Sequence, residues 1–240
     1  MSKTGRAARA SRVHGLASHV LSDTHMLTNP HSVATLLIVL AACAPTGTQG
    51  GAPQVLPAPG GRAEAEELLD LGRRDQGIRD ELSAAFQVAG GQVDTVAMSR
   101  LVARMDSADR VHSARLRELV QRHGWPTARR VGAEAAEAAF LVVQHASHDR
   151  PLQRDFLAHL ERSYAEGEGD GQAVALLTDR LRLADGRPQL YGTQASIENG
   201  QVVIEPIEDE AGVDARRARL GMPPMAEYIR MMRQHYGLPE

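Results

Sequence analysis

Cysteine is nearly absent: Cys43 stands alone in 240 residues, so no intramolecular disulfide can brace the fold. Lysine is as scarce, since Lys3 is the only lysine among the 27 basic residues. The chain beyond it lacks the amine on which Schiff-base and P-loop chemistry depend. Aromatic residues account for 3% of the sequence, which leaves Leu, Val, Ala and Met to build a core. The apolar run Val33 to Ala42 spans ten residues, too few for a bilayer-crossing helix, which needs ~20. There is no zinc-ligand spacing, Walker pattern, GxSxG elbow or repeat at solenoid periods. An excess of positive charge is also missing. Four basic residues and one acidic residue lie in 1–42, so the 27 basic and 30 acidic residues of the whole leave 23 against 29 beyond it. A mildly acidic body offers no electrostatic footprint for nucleic acid, and no nucleic-acid partner is expected.

What is present begins with an export signature. Val33 to Ala42 has the length of a signal-peptide apolar region. Leu40-Ala41-Ala42-Cys43 follows it and resembles the lipobox of bacterial lipoproteins. That resemblance implies cleavage before Cys43 and lipidation of Cys43, with residues 1–42 as the signal region and Met26 as an alternative start. Residues 43–62 would then be the lipid anchor and a Gly- and Pro-rich flexible tether to a membrane. The expected location is the cell envelope: the periplasmic side of a Gram-negative outer membrane, or otherwise the outer face of the plasma membrane. The competing reading is a buried helix with an unmodified cysteine. Residues 63–240 suit a single domain.

Hydrophobic periodicity predicts a mainly α body of α+β type. From Ala63 to about Ala85, Leu68, Leu71, Ile78 and Leu82 mark one helical face. Asp75 falls on the same stripe with Arg79 four residues on, either as a solvated intrahelical pair or as a polar pair turned toward a site. Thr95 to Arg122 is a second helix, with Met98, Leu101, Val102, Met105, Val111, Leu116, Leu119 and Val120 as apolar positions. It stops at His123-Gly124-Trp125-Pro126-Thr127, where Gly124 suits a C-terminal turn and Pro126 keeps Trp125 out of helical geometry. Trp125, the only tryptophan, plugs the core or stacks a ligand. Further helices are expected over Ala133 to about Ala146, Arg150 to Ala165, and Ala173 to Leu181. Then the period changes. Arg187 to Gln194 is extended and Gly200 to Pro206 reads as a strand. Glu198-Asn199-Gly200 carries a turn signal, which predicts a small C-terminal β-hairpin. Val213 to Leu220 and Pro224 to Tyr236 close the chain as terminal helices, with Asp214–Arg217 and Glu227–Arg230 expected as surface pairs.

The densest chemistry is Gln144-His145-Ala146-Ser147-His148-Asp149. His145 extends the stripe of Ala135, Ala138 and Val142, which makes it either a hydrogen-bonded core histidine or a functional one. Asp149 can cap a helix starting at Arg150, with Pro151 in its first turn, and can still orient a histidine. Histidines three residues apart can share a metal, so His145, His148 and Asp149 form a metal-binding alternative. Otherwise no metal or cofactor is expected.

Several blocks, in order, resemble a bacterial family known only as domain of unknown function 6624. They are Asp75-Gln76 with Arg79, His123 to Thr127, Val143 to Ala146 with Gln153, Leu177 to Arg180 and Gln189 to Gln194. Pro206 to Asp209, Val213 to Arg217 and Leu220 to Pro224 complete the set. The resemblance spans Ala63 to Tyr236 and implies no assigned activity. Where family members usually carry an aspartate after Gln-His-Ala, this chain has Ser147. The pattern favours polar types from separate elements: Asp75, Arg79, Gln144, His145, Gln153, Asp179, Arg180, Gln189, Tyr191, Thr193 and Gln194. Buried, such groups either form an internal network or line a pocket. Three functions stay open. The first is a binding module whose polar pocket around His145 takes a small molecule, peptide or glycan, with a hairpin strand over Gln189 to Gln194 beside it. The second is a metal-independent hydrolase or transferase with His145 as general acid or base, Asp149 or Asp179 orienting it, and Arg180 holding an anionic group. The third is a structural scaffold.

Overall fold

The computed structural model describes residues 61–88, 95–198 and 200–239. The expected signal region, Cys43 and the tether up to residue 60 lie outside the described residues.

The fold is mainly α, with eight α-helices and one two-stranded antiparallel hairpin among the described residues. Helix α1 (Arg62–Val88) turns Ala65, Leu68, Leu71, Asp75, Arg79 and Leu82 inward, a run of three- and four-residue steps along one face. Helix α2 (Thr95–His123) does the same with Met98, Met105, Asp109, His112, Leu116 and Leu119. Val111, expected on that stripe, is 64% exposed instead, because the inward position is His112. Glu67–Arg115 and Arg79–Asp109 pair earlier α1 residues with later α2 residues, so the two helices run antiparallel.

A short helix absent from the sequence expectation, α3 (Ala128–Val131), fills the break after Trp125. Gly132 follows at φ 86° and opens α4 (Ala133–His145). Helix α4 is the central element, with Ala135, Ala138, Ala139, Phe140, Val142, Val143, Gln144 and His145 all buried. It lies parallel to α1: Glu64 pairs with Arg130, Gly72 meets Ala138, and Asp75 meets His145. A Cβ on Gly72 would come within 2.7 Å of the Ala138 Cβ, so this glycine sets how closely the two helices approach.

Helices α5 (Arg150–Ala165) and α6 (Gly171–Ala184) pack as a pair beneath α4. Asp149 caps α5 by accepting from the Leu152 N–H at 3.0 Å, and Asp170 caps α6 through the Gln172 N–H at 2.9 Å. The main apolar core draws on α1 to α6, and a second cluster of Leu82, Met98 and Met105 closes the far end of α1 and α2.

The hairpin joins β1 (Ala195–Glu198) to β2 (Gln201–Ile204). The strands meet at Glu198 and Gln201, where the sequence predicts the hairpin to close, but the first strand is not the stretch 187–194. That segment is a loop, bent at Gly192 (φ 67°), where Met225 and Ile207 leave no room for a side chain. Helices α7 (Val213–Arg219) and α8 (Met225–His235) end the chain, and Tyr228 and Met232 of α8 pack on Ala195.

Candidate functional site

Around α4 the nominated polar residues resolve into two networks. The first is built on Asp75. One oxygen, Oδ1, accepts from Arg79 Nη1 at 2.9 Å, and Oδ2 lies 2.8 Å from His145 Nδ1 and accepts from Gln76 Nε2 at 2.8 Å. Arg79 also donates to Asp109 at 2.8 Å, which ties α1 to α2. Asp75 is 1% and Arg79 4% exposed, so the pair is a core element and not a solvated surface pair. Asp109 and His112 were not among the sequence candidates, although the spacing Met105, Asp109, His112, Leu116 places both on the apolar stripe of α2.

The electrostatics follow from this burial. Desolvation works against the Asp75 charge, but the His145 hydrogen bond and the charges of His145, Arg79 and His112 outweigh it and hold its carboxyl below the usual range. Burial lowers His145 to about 4; Asp75 opposes this, while Arg79 and Arg180 add to it. Burial lifts Asp109 to about 6 against the pull of Arg79. His145 is therefore neutral near pH 7. With its proton on Nδ1 facing Asp75, its Nε2 is an open lone pair, and that atom has no hydrogen-bond partner among the described residues.

The second network is built on Asp179 of α6, which is fully buried. Its carboxylate accepts from the backbone N–H groups of Leu190, Tyr191 and Thr193 and from the Thr193 hydroxyl, at 2.6–3.2 Å. Gln189 spans the same loop, its Nε2 donating to the carbonyls of Gln194 and Glu205 and its Oε1 accepting from the Gln194 N–H. Gln194 Nε2 donates to the Thr193 hydroxyl and, at 3.4 Å, to the Leu176 carbonyl. The N–H groups of this loop thus turn to Asp179. The sequence expectation set them beside His145. Arg180 stands between the networks, next to Asp179 in α6 and close enough to His145 to depress its protonation.

Gln153, Asp149 and His148 also have partners within the fold. Gln153 donates to the Val143 and Gln144 carbonyls at 3.0 and 3.2 Å, satisfying the last turn of α4. Asp149 is occupied by its cap and by Arg117, and His148 Nε2 lies 3.2 Å from the Ser113 hydroxyl. His145, His148 and Asp149 consequently face three different partners. Among the described residues no group of three or more His, Cys, Asp or Glu side chains is placed to hold a metal ion. Arg217, expected at the surface with Asp214, is fully buried. It donates to the carbonyls of Pro223 and Tyr191 and lies 4.6 Å from the Tyr228 ring centroid. Glu227 and Arg230 are the exposed pair expected.

A cavity of about 670 Å³ is walled by Trp125, Pro126, Phe140, Leu160 and Leu176 and rimmed by Arg129, Glu137, Glu168 and Asp170. That volume lies within the usual range of small-molecule sites. Trp125 is packed from behind, tilted on Phe156 at 5.4 Å between centroids and stacked on His159 at 6.1 Å. None of the sequence-nominated catalytic or ligand-binding residues lines this cavity. Only the Trp-Pro-Thr of the 123–127 block points to it.

The family model described as "Family of unknown function (DUF6624)" matches residues 63–239. The chain belongs to this family. No curated protein and no solved structure matches it. The blocks of this sequence that resemble the family fall on the two networks, on the Trp125 wall and on the Arg217 anchor.

Proposed function

We propose that this DUF6624 chain is a lipid-anchored cell-envelope domain that binds a ligand, and that the ligand enters the cavity beside Trp125. The observation that carries this reading is the contrast in access. The cavity is a concave space with exposed residues on its rim, whereas His145, Asp179 and Gln194 are each more than nine-tenths buried. The polar networks around Asp75 and Asp179 then act as the frame that fixes α4 and α6, two walls of the cavity. Because Trp125 is the only tryptophan, its fluorescence reports occupancy directly. The full chain, titrated with small molecules, peptides and glycans, should respond to a ligand. Ala136→Phe, which fills the cavity from α4, should abolish that response without lowering the melting temperature. A response that survives Ala136→Phe and vanishes in His145→Gln would transfer the site to the Asp75 network.

The anchor is tested separately. Cells fed a labelled lipid precursor should label the wild-type chain and not Cys43→Ser, and an unlabelled wild type would remove the lipoprotein part of the reading.

A second reading, a metal-independent hydrolase or transferase, is favoured by a single feature: the neutral His145 whose Nε2 lone pair is oriented by Asp75. Such an enzyme would lose turnover in both His145→Gln and Asp75→Asn while keeping ligand binding at Trp125.

A further inference from the structure

The cavity beside Trp125 has a charge pattern as well as a shape. Its walls are apolar and aromatic, but three of its rim residues, Glu137, Glu168 and Asp170, are carboxylates. Arg129, the only basic lining residue, is committed to Glu168 at 2.8 Å. The Asp170 carboxylate accepts a single N–H, that of Gln172, which satisfies one of its oxygens and leaves its charge in place. No ion pair neutralises Glu137 among the described residues, and desolvation, then Asp170 and then Glu134, make its ionised form less favourable than usual. The rim therefore carries negative charge beside an indole and a phenyl ring. Carboxylates hold a cation by charge, and aromatic faces hold one through their quadrupole.

Resting on the pocket reading above, we propose that this cavity selects an organic ammonium: a cationic nitrogen seated between Glu137 and Asp170, with an apolar or aromatic body against Trp125, Phe140 and Leu160. An anionic ligand would meet the same rim as repulsion, and a neutral one would gain only the apolar wall.

The test is a charge series of near-constant shape, phenethylammonium, 2-phenylethanol and phenylacetate, titrated into the full chain with Trp125 fluorescence as the readout. The ammonium should bind about three- to fivefold more tightly than the alcohol, as a partly exposed ion pair allows, and phenylacetate most weakly. Glu137→Gln should erase the preference for the ammonium while leaving the affinity for the alcohol unchanged. Asp170→Asn should reduce that preference while keeping the α6 cap, since asparagine caps as well as aspartate. Equal binding of amine and alcohol, or a preference untouched by both variants, overturns the ammonium assignment but leaves the pocket standing. No binding by any of the three, or binding unaffected by Ala136→Phe, overturns the pocket reading itself.

Discussion

His145 and Asp109 titrate in opposite senses inside one buried cluster, and their proton balances offset each other. Taken alone, His145 falls from 6.5 to about 4 on folding, so between those values the unfolded chain holds a proton that the folded chain lacks, and stability rises with pH. Asp109 climbs from 3.8 to about 6, so over that span the folded chain holds the extra proton and stability falls as pH rises. Between about pH 4 and 6 the two cancel: folding moves a proton from the histidine to the aspartate without changing the total. Asp75, held below its ordinary value, contributes stability that is lost only at more acid pH. His112 in the same cluster, and the partly buried His148 and His159, are also held below the usual imidazole range by burial, so each variant is read as a change of slope from wild type. Asp109→Asn should make the slope of unfolding free energy against pH more positive than wild type by up to about 1.4 kcal/mol per pH unit between about 4 and 6, and His145→Gln should make it more negative. Urea midpoints across pH measure both, and slopes that match the wild type in both variants would break the account. Asp75→Asn, which strips the charge shared by Arg79 and His145, should cost about 3 kcal/mol at neutral pH in the same assay.

At the scale of elements, the loop 187–194 behaves as a structured insert whose backbone N–H groups gather on one carboxylate of α6, with Arg182 and Gln194 adding bonds to the Pro188 and Leu176 carbonyls. Asp179→Ala should cost about 3 kcal/mol. It should also speed amide exchange at Leu190, Tyr191 and Thr193 more than in α4, and uniform exchange throughout would mean that the loop is held by other contacts. Gly72→Val would force α1 and α4 apart where Ala138 already closes the gap, so a melting temperature lowered by several degrees is expected. The helices were legible from apolar spacing alone, and most ends fell within a residue or two of the expected ones. Asp149 as a cap was legible too, because capping is a local bargain between a side chain and the next three residues. The loop was not. An Asp179 that gathers N–H groups from residues 190–193 replaces the strand pairing that an extended sequence suggests, and no local pattern records that partner. Helix α3 was missed because one turn between a proline and a glycine leaves no periodicity to read.

For the whole molecule, the sequence pointed to polar residues that the fold buries, and the open cavity lies among other residues. Asp75 and His145 were recognisable because polar types sat on apolar stripes, with Arg79 four residues after Asp75, whereas Asp179 came from the family resemblance. Whether such groups line a cleft or cross-link a core depends on which helices stand over them, and that is decided by packing between distant segments. The cavity beside Trp125 is the converse case. Its walls are ordinary Ala, Leu and Phe positions, and it exists only because α4, α6 and the 167–170 loop meet around the Trp125 block. Arg217 was misplaced for a related reason: Asp214, three residues earlier, suggested a surface pair, whereas the buried guanidinium donates to backbone carbonyls of distant residues.

The parallel course of α1 and α4 carries a mechanical consequence. Tension applied ahead of Arg62 would run along the axis of α1 and be resisted at Glu64–Arg130, at Gly72 against Ala138 and at Asp75–His145 at once. These contacts are spaced along the helix, so the load is shared as shear across them and cannot peel the first turn away alone. A domain pulled from its N-terminal side is gripped along the length of its central helix pair, and its resistance to force is set there and not at the point of attachment.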